Sequence, residues 1–285
     1  MKTIVVLTDP YLSPENTARY AIHLAQKIKA NVLLAEAVFD YSKIAVLQAE
    51  DIEYASETTP GNHQLTNLCN KLELEMAQSN YPGKYVPSIY CDEQMLPVEE
   101  MVPRLQSSLD VAYVIVSANL YYSSSTLMAC HDYAQILAHL KVPLIIISED
   151  QPLRYPEKYA FIGDVQHDYS GYLNDVAILA DYSAATIMLT NINTGRPLDN
   201  DQELAVRSIM KETINKVNYG RIYYHHIPNQ VTKTDVEWLF QDNKFEALVT
   251  VSHKNDIYNN VLEFGFNQKV KGNITVPLII FPGLE

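Results

Sequence analysis

The chain alternates short aliphatic runs with stretches in which apolar residues recur at helical spacing. The runs show no apolar–polar alternation, which is typical of strands buried on both faces of a parallel sheet. In the first half they cover 3–9, 31–39, 85–91, 111–117 and 142–148, and in the second half 159–165, 186–192, 220–227, 246–252 and 276–281. Strands that alternate with helices predict an α/β fold with parallel sheets and right-handed crossovers.

Helical patterns fill the segments between these runs. The first begins at Ser13-Pro14-Glu15, where the serine would cap the helix and the proline would take its first position. The others in the first half cover 64–78, a short proline-interrupted stretch at 97–108, and 126–140, and those in the second half cover 172–182, 199–217, 235–242 and 258–271. Both halves therefore show the same succession of strands and helices.

The two halves also share sequence. VAYVIVS (111–117) matches EALVTVS (246–252), and each is followed about two dozen residues later by Val-Pro and an aliphatic strand. The matching serines lie 135 positions apart and the matching prolines 134. A repeat of this length is a duplicated domain, since solenoid units repeat every 20–50 residues or so. The sequence predicts two doubly wound domains, 1–150 and 151–285, joined by a charged linker with two prolines.

Composition and charge limit the classes of partner and the cellular compartment that we expect for this chain. A length of 285 residues with 47% hydrophobic content suffices for two cores. The net charge of −13 argues against binding bare nucleic acid, which needs a basic surface. No apolar run approaches the ~20 residues of a membrane span, and no signal-peptide pattern opens the chain. Three widely spaced cysteines indicate neither a disulfide framework nor a zinc site, so we expect a cytoplasmic protein.

Four features stand out along the chain: the opening strand VVLTDP (4–10), the Ser-Pro-led helix with paired alanines (13–22), the Val-Pro closing strands, and VTVSHKN (249–255). Together they resemble the universal stress protein family in its tandem-domain form, and VTVSHKN is similar to the second half of Bacteroidetes-type members. The resemblance implies a five-stranded, Rossmann-like parallel sheet in each domain, with strand order 3-2-1-4-5. Ligands bind such sheets where the order reverses, between the carboxyl ends of strands one and four.

The resemblance also locates the residues that would bind ATP. Family members that bind ATP carry glycines after strand four, which let backbone N–H groups and a helix N-terminus approach the phosphates. The matching positions are Ser117, Leu120, Cys130 and His131 in the first copy, and Ser252, Asn255 and the neighbourhood of Gly265 in the second. Only Gly265 is glycine. We therefore expect a degenerate nucleotide site and no cofactor, with ATP or AMP binding as the disfavoured alternative.

Part of a ligand pocket remains by resemblance. Asp9 and Asp164 end the first strand of each copy, where the family's aspartate meets the nucleotide, and Val38 matches a residue whose backbone contacts adenine. The loop serines Ser123 and Ser124 could hold a phosphate through their hydroxyls, and Lys254 is a cation near the second switch point. The structural alternatives are helix caps or turn residues for the aspartates and solvated loops for the serines and the lysine.

The sequence does not contain the residue patterns that metal binding or nucleophilic catalysis would require. His225 and His226 are adjacent in a predicted strand and point to opposite faces, so they cannot share one metal without a bulge. Cys130 and His131 are adjacent on a predicted helix and do not face each other as a nucleophile and its base would. No P-loop, nucleophile elbow or dinucleotide-binding glycine motif occurs. We expect neither a metal nor an enzyme.

The main functional hypothesis is a non-enzymatic regulatory or binding protein of the stress response, acting on an unknown protein partner. The alternative is a binder of nucleotides or other anionic small ligands, or a slow nucleotide hydrolase, with a non-standard loop. Twenty tyrosines offer contact area for an interface, against the plainer reading of half-buried element edges. We also expect the aliphatic closing strands of the two domains to pair within one chain, because exposed edges of that kind aggregate. A homodimer of chains is a further expectation.

Overall fold

The computed structural model describes residues 1–8, 14–38, 64–78, 85–117, 133–147, 152–163, 167–192, 200–227, 245–252 and 276–283. The chain divides into two compact units, Met1–Leu153 and Arg154–Glu285, which we call domain 1 and domain 2. Each is described by itself below.

Domain 1 is a parallel sheet with helices on its faces. Its strands are β1 (Thr3–Thr8), β2 (Asn31–Val38), β3 (Ile89–Pro97), β4 (Val111–Ser117) and β5 (Leu144–Ile147), and its helices are α1 (Glu15–Ile28), α2 (Gln64–Gln78) and α3 (Val98–Ser108). The strands lie in the order β3-β2-β1-β4-β5, and every pair is parallel. Residues 133–137 are also helical.

Domain 2 repeats this arrangement. Its strands are β6 (Lys158–Gly163), β7 (Thr186–Ile192), β8 (Ile222–Ile227), β9 (Ala247–Ser252) and β10 (Leu278–Pro282), and its helices are α4 (Ser170–Asp181) and α5 (Asn200–Asn215). The strands are parallel in the order β8-β7-β6-β9-β10. The predicted α/β class is confirmed, and each domain has the order 3-2-1-4-5. Pairing of the closing strands of the two domains stays a prediction.

The central strands are buried on both faces, as their aliphatic sequences predict. Every residue of β1 is buried, and so is every residue of β5. Helix α1 turns one face to the sheet, where Ala18, Ala21 and Ala25 are fully buried. Small residues at this helical spacing let the helix backbone lie close to the strands. The sheet and this helix therefore form the rigid core of domain 1.

A glutamine joins α3 to the turn that precedes β5. The side-chain amide of Gln106 donates from Nε2 to the backbone carbonyl of His139, with an N–O distance of 2.8 Å. Its Oε1 accepts the backbone N–H of Lys141 at 2.7 Å. One side chain thus provides hydrogen-bond partners for two backbone groups of a turn that lies outside the helices and strands.

The third strand differs from the prediction. It was expected at 85–91, but β3 begins at Ile89 and continues to Pro97, through residues that the sequence assigned to a loop and a helix start. The reason is its position: β3 is at the outer end of the strand order, and an outer strand tolerates polar residues such as Asp92 and Gln94. Its pairing with β2 also shifts register between Ala35 and Ala37.

Helix boundaries differ by smaller amounts. Helix α1 begins at Glu15, so Pro14 occupies the capping position and not the first helical position as predicted; Ser13 lies outside the described residues. Helix α3 continues through Pro103, where the sequence predicted an interruption. Proline removes one backbone bond, to the carbonyl of Glu99, and that residue is exposed to water. The predicted helices at 235–242 and 258–271 lie outside the described residues.

Both domains contain a left-handed residue at the same junction, between the first helix and the second strand. Lys29 follows α1 with a φ of 55°, and Ala184 follows α4 with a φ of 50°. The N–H of Lys29 bonds back to the carbonyl of Ala25 and closes the helix. Neither residue is glycine, the type that adopts this conformation without cost.

Candidate functional site

The candidate site of each domain is the carboxyl edge of its sheet, where strands one and four lie side by side. In domain 1 these strands are β1 and β4, which pair from Thr3 to Val6 and end at Thr8 and Ser117. In domain 2 they are β6 and β9, which end at Gly163 and Ser252. The strand order reverses between the members of each pair, which makes these two edges the switch points.

The repeated serines are bound into the fold through their backbones. In domain 1 the carbonyl of Ser117 accepts a hydrogen bond from the hydroxyl of Tyr133 at 3.4 Å, and the tyrosine is only 3% exposed. In domain 2 the carbonyl of Ser252 accepts the N–H of Gly283 at 3.2 Å. Both serine side chains are half-buried. The backbone at these two positions is therefore held by protein groups, and each position carries a side chain.

A group of aromatic rings lies beside the end of β6, on one side of the domain 2 switch point. We call Phe161, His167, Tyr169, Tyr172 and Phe281 the aromatic cluster. Tyr169 is at its centre: its ring meets Phe161 edge-on with centroids 5.5 Å apart, and it also neighbours His167 and Tyr172. Tyr172 packs on Phe281 and donates its hydroxyl to the carbonyl of Pro282 at 3.4 Å. The cluster thus links the start of α4 to the ends of β6 and β10.

The ring of Tyr169 occupies the space beside the last residue of β6. A Cβ atom placed on Gly163 would lie 2.7 Å from Cε2 of that ring and 3.0 Å from Cζ. Tyr169 is only 2% exposed, so the ring is part of the interior. Glycine is needed here because the ring leaves no room for a side chain. On this face, protein atoms fill the end of β6.

The start of α4 is held by an ion pair at the surface. The backbone N–H of Ser170 donates to Oδ1 of Asp168 at 2.9 Å, and the ammonium of Lys216 lies 3.1 Å from Oδ2. The bond from Ser170 and the nearby Lys216 hold the pKa of Asp168 below its usual value. A carboxylate before a helix start caps free N–H groups and is favoured by the helix dipole.

Polar residues lie at the ends of β7 and β8. Thr190 and Asn191 are buried at the end of β7 and pair in register with His225 and His226. Burial lowers the pKa of His225, and burial raises the pKa of Tyr224 to about 12. Among the described residues, no group of three or more His, Cys, Asp or Glu side chains could hold a metal ion.

The comparisons with known proteins concern the whole chain. No protein-family model matches it, and no curated protein matches its sequence. A universal stress protein from Archaeoglobus fulgidus DSM 4304 is similar in structure, with a TM-score of 0.62, 11% identity, and coverage of 98% of this chain and 96% of the other. A candidate universal stress protein from Pseudomonas aeruginosa UCBPP-PA14 has a TM-score of 0.64 and 11% identity, and the match covers 98% of this chain and 92% of the other. The fold is that of the universal stress proteins. A functionally unknown protein from Pseudomonas aeruginosa PAO1 shares it, with a TM-score of 0.62, 12% identity and coverage of 98% and 92%.

The shared fold is the one that the family resemblance implies, and the structure describes three of the predicted site residues. Ser117 and Ser252 end the fourth strand of their domains, as expected, and Val38 ends β2 with 43% of its surface exposed. The other predicted ligand-binding residues lie outside the described residues: Asp9, Ser123, Ser124, Asp164, Lys254 and Gly265. Among the described residues, no helix is both long and apolar enough to cross a bilayer.

The sequence did not single out Gly163 or the tyrosines that close these edges. Tyr159 and Tyr169 are among the twenty tyrosines that the sequence offers for an interface, but they are only 3% and 2% exposed. Tyr223 in the outer strand β8 does remain accessible, with 58% exposure. The available signal was a glycine that ends an aliphatic strand and is followed six residues later by tyrosine.

Proposed function

We propose that this chain is a non-enzymatic regulatory or binding protein of the universal stress type, and that it does not bind ATP in the manner of the family's ATP-binding members. The observation that carries this proposal is the ring of Tyr169 against Gly163, which fills one face of the domain 2 switch point with protein. A first strand that ends against a buried aromatic ring suits a structural or interaction role better than turnover of a polyphosphate.

The repeated serines support the same conclusion. A phosphate-binding loop needs backbone N–H groups that a ligand can approach closely, and glycine permits this because it has no side chain. By resemblance, the family motif begins at Ser117 and Ser252, and both positions carry a side chain in place of glycine. Their own carbonyls bond to Tyr133 and Gly283, which fixes the backbone there. Loss of a charged triphosphate's main contacts would remove several kcal/mol, since charge-assisted bonds contribute about 1.5–3 kcal/mol each.

Isothermal titration of the nucleotide-free protein with ATP, ADP and AMP tests the proposal. We expect no saturable heat below roughly millimolar nucleotide, which corresponds to a binding free energy weaker than about −4 kcal/mol. The Tyr169→Ala variant is the matched comparison, since it opens the domain 2 edge and leaves domain 1 unchanged. Submicromolar ATP binding by the unaltered protein would overturn the proposal, and binding gained only by the variant would support the blocking role of the ring.

The enzymatic alternative has its own test. Intact-protein mass spectrometry under native conditions shows whether a nucleotide or another anionic ligand co-purifies. A phosphate-release assay with ATP and Mg²⁺ then measures turnover. We expect no bound nucleotide and no release above the buffer rate. Lys233→Ala serves as the control, because Lys233 is a lysine of domain 2 that is not among the predicted site residues. Phosphate release that is lost in a Lys254→Ala variant and retained in this control would establish the hydrolase hypothesis instead.

We further propose a cytoplasmic location, a protein partner and self-association of the chain. The outer strand β8 supports a partner surface, because Tyr223 is exposed there and tyrosine offers large contact area at small entropic cost. Analytical ultracentrifugation of the purified chain over a range of concentrations measures self-association. A monomer at every concentration would refute the homodimer and leave the partner hypothesis to affinity capture with Tyr223→Ser as control.

A further inference from the structure

Two cysteines of domain 1 face each other between α2 and β3. Cys69 is on α2 and is 5% exposed, and Cys91 is the third residue of β3 and is partly exposed. Both are free thiols, and their side chains are within hydrogen-bonding contact. The pair takes no part in the switch points described above.

The pattern of burial explains why the two thiols meet. Leu65, Cys69 and Leu72 are the buried residues of α2 and recur at helical spacing, so they form the face that packs on the sheet. In β3, Ile89 is buried whereas Tyr90 is 53% exposed, so Cys91 shares the face of Ile89. Both elements therefore direct a cysteine into one shared layer.

A solitary buried cysteine is usually a small apolar residue of the core. Here two cysteines contact each other, and one of them is accessible to small molecules while its partner is not. Among the described residues no third ligand joins them to form a metal site. Two thiols in contact, one of them accessible, can form a disulfide by thiol–disulfide exchange.

We propose that Cys69 and Cys91 form a reversible disulfide that responds to the thiol–disulfide balance around the protein, with glutathione disulfide or a related small disulfide as the oxidant. In the first step the thiolate of Cys91 attacks one sulfur of glutathione disulfide, which gives a Cys91–glutathione mixed disulfide and releases one glutathione. In the second step the sulfur of Cys69 loses its proton and attacks Sγ of Cys91. The protein disulfide forms, and the second glutathione leaves as the thiol.

The surroundings assign the two thiols to different steps. Burial, contact with Cys91 and the nearby carboxylate of Glu73 raise the pKa of Cys69 to about 12. Cys69 is therefore a poor first nucleophile at neutral pH, and small oxidants reach Cys91 first. Closure onto Cys69 is then intramolecular, so proximity compensates for its small thiolate fraction.

The bond would connect an outer strand to a helix. β3 is at the end of the strand order and pairs only with β2 within domain 1 among the described strands. Outer strands are held by one neighbour and open more readily than central ones. A link to α2 would restrain β3 and the connection between the two elements, so oxidation would stiffen this edge of domain 1.

The test uses the full chain with Cys130→Ser, which leaves only the proposed pair. The protein is equilibrated in buffers of graded glutathione and glutathione disulfide, quenched with an alkylating agent and digested for mass spectrometry. We expect both thiols to be lost together, a peptide cross-linked through Cys69 and Cys91, an upward shift of the melting temperature, and full reversal by dithiothreitol. Cys69→Ser should stop at the Cys91–glutathione adduct, and Cys91→Ser should react far more slowly.

Three results would overturn the proposal. They are two thiols that remain alkylatable in the most oxidising buffer, a stable glutathione adduct without the intramolecular cross-link, and cross-links between different chains only. Circular dichroism of each serine variant under reducing conditions serves as the folding control. If a variant is unfolded, the cross-link and its reversal in the Cys130→Ser parent still decide the question.

Discussion

Replacing Gly163 with alanine tests the closure of the domain 2 edge directly. The added Cβ would lie 2.7 Å from the ring of Tyr169, about 0.7 Å inside the ordinary contact distance of 3.4 Å. The backbone offers no obstacle, because φ of Gly163 lies outside the left-handed range. The ring cannot move freely, since it is 2% exposed and packs against Phe161 and Tyr172. We expect Gly163→Ala to destabilise domain 2 by about 1–3 kcal/mol, as for other overpacked sites.

A double-mutant cycle separates this clash from other causes. Tyr169→Ala alone should cost about 3–5 kcal/mol, because it removes a buried aromatic ring and leaves a cavity. With the ring absent, the second change Gly163→Ala meets no obstacle and should be neutral or stabilise by about 0.4–1 kcal/mol, since alanine restricts the unfolded chain. The double variant should therefore be more stable, by about 1–3 kcal/mol, than the sum of the two single effects predicts.

Urea unfolding followed by tryptophan fluorescence measures these changes in the right domain. The chain has one tryptophan, Trp238, and it belongs to domain 2. Gly171→Ala is the matched control, because no atom lies within 4 Å of the new Cβ and the residue is in helix α4. That control should be neutral or mildly stabilising. If Gly163→Ala matched the control, or cost as much without Tyr169 as with it, the ring would not be what excludes a side chain there.

Three further changes test the packing, a backbone bridge and a charge. Ile146→Asp places a carboxylate where the side chain is 2% exposed in β5, and it should cost domain 1 about 3–5 kcal/mol in a thermal melt. Gln106→Ala removes the two bonds between α3 and the turn before β5, and urea unfolding should show a loss of about 1–3 kcal/mol. The pKa of Asp168 is lowered by Ser170 and Lys216, so its stabilising contribution is present above the pKa of the unfolded chain and is lost as pH falls through the folded value. The stability difference between wild type and Asp168→Asn should therefore vanish in acid, and a difference that persists there would contradict the assignment.

The buried strands could be predicted because their environment leaves a direct mark on the sequence. A strand covered on both faces must be apolar at every position, so TIVVLT and LIII indicate strands without further information. β3 could not be placed in the same way. It has a neighbour on one side only, so it can carry polar residues: Gln94 is exposed to water and Asp92 pairs with Arg104. Its sequence therefore resembles a loop.

The sequence predicts the strand ends at the candidate site, but not the side-chain contacts around them. The repeat and the Val-Pro strands place Ser117 and Ser252 at the ends of the fourth strands, because those positions follow from strand length and order. The contact between Gly163 and Tyr169 depends on the angle at which α4 leaves β6, and residue types alone do not determine that angle. The contact between Cys69 and Cys91 likewise depends on how α2 packs against β3, which residue types alone do not determine.

The left-handed residues Lys29 and Ala184 carry information about the history of the chain. If the two domains descend from one ancestral copy, the left-handed backbone at this junction was retained while the residue type changed. One copy now has lysine there and the other has alanine. Inheritance here would be of conformation and not of residue identity. Main-chain geometry is compatible with very different residue types, and the universal stress protein from Archaeoglobus fulgidus shares this fold at 11% identity.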